Sequence, residues 1–293
     1  MTEKLKVLDL FSGIGGFSLG LDRAGGFETV AFCEIEPFPR KILAKHWPEV
    51  PCYEDVTKLT GDILRRDGIS VDVITGGFPC QDISVAGKQA GIGEGTRSGL
   101  WSEIVRLIGE LSPRYVIVEN VAALLSGPSE QRGGWFGSIL GDLAECGYDA
   151  EWENIPAAAV GAPHRRERVW IVAYPNGAGH NRKKKSGVYS SAHGKGVANN
   201  IGNGSGKDNV ADADNSRLQG RTQTGNPSGI GSGGYQFFER CAHMPRTAWL
   251  PEPDVGRVAN GVPQRVDRLK GLGNAVVPQI PELIGRAIME RET

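Results

Sequence analysis

Between residues 5 and 174 short apolar runs alternate with stretches of helical spacing, and this alternation restricts the fold more than any other feature. The runs Val7–Phe11, Val30–Cys33, Val71–Thr75, Tyr115–Val118 and Val169–Ala173 are too short for buried helices and do not alternate polar with apolar residues. Such continuous runs read as strands covered on both faces, the usual state of parallel strands. Helical spacing follows Gly16, covers Pro37–His46, and runs from Ser98 through Leu111 and from Trp135 through Cys146. The pattern predicts an α/β fold built on a doubly wound, mostly parallel sheet. In that architecture ligands bind beyond the carboxyl ends of the strands, so the residues that leave each run are where chemistry is expected.

The character of the chain changes after Tyr174, where Gly, Ser, Asn and Lys dominate through Gly234. Apolar spacing returns from Val262 to Ile288, with Leu283, Ile284, Ala287 and Ile288 at helical intervals. Three parts are therefore expected: a catalytic domain over 1–174, a small irregular region over 175–255, and a C-terminal segment over 256–293 that packs back on the first. Residues 175–250 hold 10 Lys/Arg against 4 Asp/Glu, leaving 23 of the 33 basic and 30 of the 34 acidic residues elsewhere. A net charge of -1 thus hides a basic segment suited to a polyanion, although a solvated basic loop has the same composition. The five cysteines, at 33, 52, 80, 146 and 241, form no Cys-x-x-Cys pair, which argues against a disulfide framework or a zinc site. No apolar run approaches the roughly 20 residues that span a bilayer, and the chain reads as soluble and cytoplasmic.

The first run ends in Asp9-Leu10-Phe11-Ser12-Gly13-Ile14-Gly15-Gly16-Phe17, a glycine cluster where backbone approaches a ligand closely. A dinucleotide fingerprint needs glycine where Ser18 stands, and no Gly-Lys-Ser/Thr follows, so the turn suits a nucleoside without a pyrophosphate. Glu34, about 20 residues on, has the spacing of a carboxylate that accepts from ribose hydroxyls. The third run leads into Gly76-Gly77-Phe78-Pro79-Cys80-Gln81, where glycine and proline shape an exit that carries a thiol to the same edge. Glycines at 87, 91, 93 and 95 suggest a closing loop over 82–97. Glu119-Asn120-Val121 ends the fourth run with a second acid, Asn120 serving equally well as a helix cap. Pro163 to Arg168 precedes the last run, and strand alternation lets Arg166 and Arg168 point from one face, unless Glu167 simply ties them into a surface ion-pair cluster.

In this order, these segments together with Gly273-Asn274-Ala275-Val276-Val277-Pro278 resemble the DNA cytosine-5 methyltransferase family, in its bacterial or prophage-borne form. The resemblance covers about residues 5–174 and 262–288. It implies a Rossmann-like fold, a cofactor, S-adenosylmethionine, and double-stranded DNA as partner. It further implies a restriction-modification or phage-protection setting with a cognate restriction endonuclease, and a chain that works as a monomer. By the same resemblance Cys80, Glu119, Arg166 and Arg168 are the catalytic set, Cys80 adding to the ring of a flipped-out cytosine. Phe11, Ser12, Gly13, Gly15, Gly16, Glu34, Ile35, Asp55, Val56, Pro79, Leu100, Asn274 and Ala275 are the implied cofactor contacts. Residues 175–255 occupy the family's usual place for reading target sequence.

His164 stands where the family generally has glutamine, and Ala275 where serine is common. Three other readings compete. Methylation of transfer RNA uses the same catalytic groups, but the Cys-Phe-Thr signature of that branch is absent. A silent DNA-binding relic of the fold is opposed by the intact Cys80, Glu119 and arginines. Thiol hydrolase chemistry needs a histidine beside Cys80, and only His164 lies in a suitable segment.

Overall fold

The computed structural model describes residues 3–79, 100–126, 134–177 and 264–292. All of them belong to one compact unit. Among the described residues seven strands form one sheet: β1 (Leu5–Leu10), β2 (Phe27–Cys33), β3 (Cys52–Tyr53), β4 (Val73–Gly76), β5 (Tyr115–Val121), β6 (Tyr148–Pro156) and β7 (Glu167–Pro175). Their order is β3-β2-β1-β4-β5-β7-β6, and β1 to β5 run parallel.

The strand read as Val169–Ala173 departs from the parallel expectation. β7 pairs antiparallel with β5 on one side and β6 on the other. A hairpin-like return from β6, rather than a helical crossover, delivers β7 to the sheet, and such a return reverses direction. β6 itself escapes the sequence reading because only Tyr148 is buried along it, so it shows no apolar run. The two-residue β3 and the six-residue helix α3 (Gly61–Arg66) are too short for a periodic signal; α3 is started by Thr60, whose hydroxyl accepts from Ile63 N at 3.2 Å.

Side-chain alternation along the strands feeds two apolar layers, one on each face of the sheet. Leu8, Leu10, Ile74, Val116, Val118, Val169 and Ile171 meet α4 (Trp101–Leu111) and α5 (Gly134–Glu145) through Ile104, Leu107, Ile108, Ile139 and Leu143. Val7, Val73, Tyr115, Ile117, Trp170 and Val172 meet α1 (Gly16–Ala24) and the C-terminal helix through Phe17, Leu21, Ile280, Ile284 and Ile288. α2 (Pro37–His46) flanks the β2 side, and the C-terminal segment forms α6 (Arg265–Asn274) and α7 (Gln279–Glu292).

α1 presents Gly16, Gly20 and Ala24 at four-residue intervals, a ridge without bulk on which the C-terminal segment lies. A Cβ at Gly16 would stand 2.7 Å from the Val276 carbonyl oxygen, one at Gly20 closer still to that of Pro278, and one at Gly285 of α7 would stand 2.8 Å from Ala24 Cβ. Among the described residues no helix is long and apolar enough to cross a membrane, and no cluster of His, Cys, Asp and Glu is arranged to hold a metal ion.

Candidate active site

Two adjoining groups of residues occupy the carboxyl edge of the parallel strands. The first is built on the turn after β1. Phe11 and Gly13 take left-handed backbone, φ 51 and 53, and Gly15 follows at φ 84. Nothing lies within 4 Å of the Cβ position of Gly13, whereas one at Gly15 would enter the Trp47 ring at 2.6 Å. Gly15 is thus required by both angle and space, and Gly13 by angle alone, leaving room above it. Glu34, buried at the end of β2, accepts from Gly13 N at 2.7 Å through Oε2 and from Glu36 N at 2.8 Å through Oε1. A carboxylate has about four acceptor positions, so capacity remains for two hydroxyls. Beside it Ile35 leaves an apolar side chain 63% exposed, a surface for a flat aromatic ring. A nucleoside with two ribose hydroxyls and a flat base fits this cradle.

The other expected cofactor residues take different structural roles. Ser12 spends its hydroxyl inside the turn, donating to Asp9 O at 2.5 Å and accepting from Cys33 N at 3.3 Å. Gly16 faces the C-terminal segment. Asp55 accepts from Thr57 N at 3.0 Å and from its hydroxyl at 2.7 Å, and these bonds, helped by Lys58 at 3.3 Å, hold its carboxyl below the usual range. Val56 is buried in the core, its carbonyl and that of Leu59 fixed by Arg106 Nη2 at 3.1 and 2.8 Å. Pro79, Leu100 and Ala275 are half-buried and Asn274 is exposed.

The second group surrounds Glu119. The reversal of β7 is what assembles it: the start of β7 lies beside the end of β5, with Val121 opposite Arg168 and Glu119 opposite Trp170. A parallel β7 would have left its first residues at the other end of β5, roughly 20 Å away. Glu119 and Arg168 share one face of the sheet, and Arg168 Nε meets Glu119 Oε1 at 3.0 Å with side-chain exposures of 25% and 13%. Burial pushes the Glu119 carboxyl above its usual range, against the opposing pull of Arg168 and then Arg166.

Strand alternation does not place Arg166. It precedes β7 in a left-handed conformation, φ 33, and donates through Nη1 to Gly273 O at 2.7 Å and through Nη2 to Ala275 O at 2.8 Å. The surface ion pair with Glu167 is made instead by Arg165, at 3.0 Å.

β4 brings the third component. A Cβ at Gly77 would stand 3.2 Å from Glu119 Oε2, so the chain passes directly over the carboxyl as it leaves the strand. Asn120 is no helix cap: its Nδ2 donates to Phe78 O at 3.3 Å, tying that exit to β5. Cys80, the 82–97 loop and almost all of the 175–255 region lie outside the described residues.

The sequence reading also passed over Asp9. Its fully buried carboxyl accepts from Ser18 Oγ at 2.8 Å and Thr75 Oγ1 at 2.9 Å, joining β1 to α1 and β4. Burial pushes it up to about 7 despite those hydrogen bonds. Its signal was present as an acid inside the apolar run Val7–Phe11, a position that is costly without partners.

Comparison with known proteins bears on this site. The family profile described as C-5 cytosine-specific DNA methylase matches residues 5–240. The Type II methyltransferase M2.BsuMI of Bacillus subtilis (strain 168) is 36% identical over 173 residues, 58% of this chain and 42% of that protein. The Type II methyltransferase M.Sau3AI of Staphylococcus aureus is 38% identical over 188 residues, 59% of this chain and 44% of its own length. The matched part of the chain thus spans less than half of these relatives. A mutant of Spodoptera frugiperda DNMT2 shares the fold, with a TM-score of 0.50 and 22% identity over 63% of this chain and 54% of that one. With the profile matching well over half of its length, the chain belongs to the C-5 cytosine-specific DNA methylase family.

Proposed function

We propose that this chain methylates carbon 5 of cytosine in duplex DNA, with Cys80 as nucleophile and S-adenosylmethionine as methyl donor. One observation carries the reading: an enclosed carboxyl group, Glu119, is pushed toward its protonated form and paired with Arg168 beneath the backbone of the exit that ends in Pro79 and Cys80. A carboxyl held above its usual range beside the segment that leads to a thiol suits a pyrimidine ring, which needs a nucleophile at one atom and a proton at another. The glycine turn, Glu34 and Ile35 would hold the donor, which when bound supplies an electrophilic methyl group.

The residues divide the work as follows. Carbon 5 of cytosine is too electron-poor to attack unaided. Addition of the Cys80 thiolate to carbon 6 forms a C–S bond, and Glu119 delivers its proton to ring nitrogen 3, so that carbon 5 becomes the nucleophilic carbon of an enamine. Once carbon 5 is methylated, a water chain removes its proton and the C–S bond breaks. Thiolate is regenerated and nitrogen 3 returns its proton to Glu119. Arg168 orients Glu119 and holds the base carbonyl. The base must first leave the helix, at a cost of roughly a few kcal/mol. Phosphate contacts from the basic 175–250 segment would offset that cost, each adding about −0.9 to the salt slope of binding. The Type II relatives support a restriction-modification setting, beside a cognate endonuclease.

Bisulfite sequencing of DNA from cells expressing the chain identifies the methylated context. A duplex carrying 5-fluorocytosine in that context, which blocks proton removal, should then form a stable adduct in the presence of donor. Cys80→Ala should form none while still binding DNA. Turnover by Cys80→Ala, or no adduct with the unaltered chain, overturns the assignment.

A further inference from the structure

We infer that Arg166 is a positioning residue for the methyl donor: it pins the turn 273–278 against the glycine ridge of α1 and thereby holds the donor cradle in shape from the base-binding side. The inference rests on the proposed donor site at Gly13–Gly16 and Glu34.

The left-handed backbone at Arg166 is uncommon for a long side chain, and it directs the guanidinium off the line of β7. Its two terminal nitrogens then reach carbonyls 107 and 109 residues away, those of Gly273 and Ala275, at 2.7 and 2.8 Å. Charge-assisted bonds of this length are strong, and a planar fork fixes two acceptors at once. Between the two acceptors stands Asn274, the last residue of α6. The turn then continues into Val276 and Pro278, whose carbonyls lie so close to Gly16 and Gly20 that no side chain fits between.

The same segment touches the cradle at two further points. Gly271 of α6 faces Ile14, 3.5 Å from its Cβ position, and Lys270 pairs at 2.8 Å with Glu36, whose amide is one of the two that hold Glu34. Residues 270–278 therefore rest on Ile14, Gly16 and Glu36, all within two positions of the groups that form the cradle. Arg166 anchors them from the other side, where its charge also acts on Glu119. Arg168, by contrast, bonds to Glu119 itself. The two arginines thus separate by function, Arg166 toward the donor and Arg168 toward the base.

Arg166→Met and Arg166→Lys test this. Titration calorimetry of the full chain with S-adenosylhomocysteine should show affinity lowered on the order of tenfold to a hundredfold in the Met variant and less in the Lys variant, which keeps charge and one donor group. In steady state the Met variant should raise KM for the donor more than it lowers kcat. Amide hydrogen exchange without ligand should speed up at Gly13–Gly16 and at Asn274–Val276. Unaltered affinity together with unaltered exchange at those amides overturns the inference. Should the unaltered chain fail to bind S-adenosylhomocysteine, that failure falls on the donor reading, and exchange alone decides the role of Arg166. The Lys variant carries the comparison should the Met variant not fold.

Discussion

In the proposed reaction Glu119 is the proton donor, and its surroundings exert opposing influences on its carboxyl. Enclosure favours the neutral form, while Arg168 and Arg166 favour the charged one; burial prevails. In the proposed reaction the acid form is the active one, so this group gives a limb of the kcat profile that descends as pH rises. Glu119→Gln keeps the shape of the side chain but has no proton to transfer. Its kcat should fall by about 10²–10⁴, and the descending limb should vanish from a steady-state pH profile, with donor affinity unchanged. A limb that persists in the Gln variant assigns the acid elsewhere. Asn120, the next residue, faces the other side of the sheet and holds Phe78 O, so in the proposed reaction neighbours in sequence serve the proton and the segment leading to Cys80 separately.

At the scale of elements, the contact of α1 with the C-terminal segment is controlled by residues that have no side chain. Gly20 sits mid-helix, where alanine would ordinarily gain about 1 kcal/mol of helix propensity. A methyl group there meets Pro278 O, Pro281 Cγ and Glu282 N, two of them backbone, and overpacking of this kind costs about 1–3 kcal/mol. Gly141, on the exposed side of α5, has nothing within 4 Å of its Cβ position among the described residues. Urea unfolding should therefore show Gly20→Ala destabilised and Gly141→Ala stabilised. Equal and favourable shifts for both would show that the ridge of α1 is not tightly packed. The contrast separates helix propensity from packing, because the residue change is the same in both helices.

At the scale of the whole molecule, the buried Asp9 joins β1, α1 and β4 through its carboxyl. Its folded value of about 7 lies above the ordinary aspartate value of 3.8, so folding takes up a proton between these limits. Stability from this group is fully present below pH 4 and declines as pH rises toward 7, by about 1.4 kcal/mol per unit within the window. Asp9→Asn cannot titrate. The stability of the unaltered chain relative to Asp9→Asn, measured by urea unfolding, should fall between pH 5 and 7; a flat difference refutes the burial argument. How much of this molecule was legible beforehand follows the range of each interaction. The strand–helix alternation is local, and it sufficed to place Gly13, Glu34, Gly77 and Glu119 at or just beyond the carboxyl ends of β1, β2, β4 and β5. Parallel strands joined by helical crossovers put all those ends on one edge. The direction of β7 was not local: it depends on β6, a strand with no apolar run of its own, and without that reversal Arg168 would not reach Glu119. The hold of Arg166 on Gly273 and Ala275, and the fit of Val276 over Gly16, join positions more than a hundred residues apart. The sequence alone determined which residues stand at the sheet edge, because periodicity is a short-range signal; only the tertiary structure decided which of them meet, because contacts between distant segments leave no periodic trace.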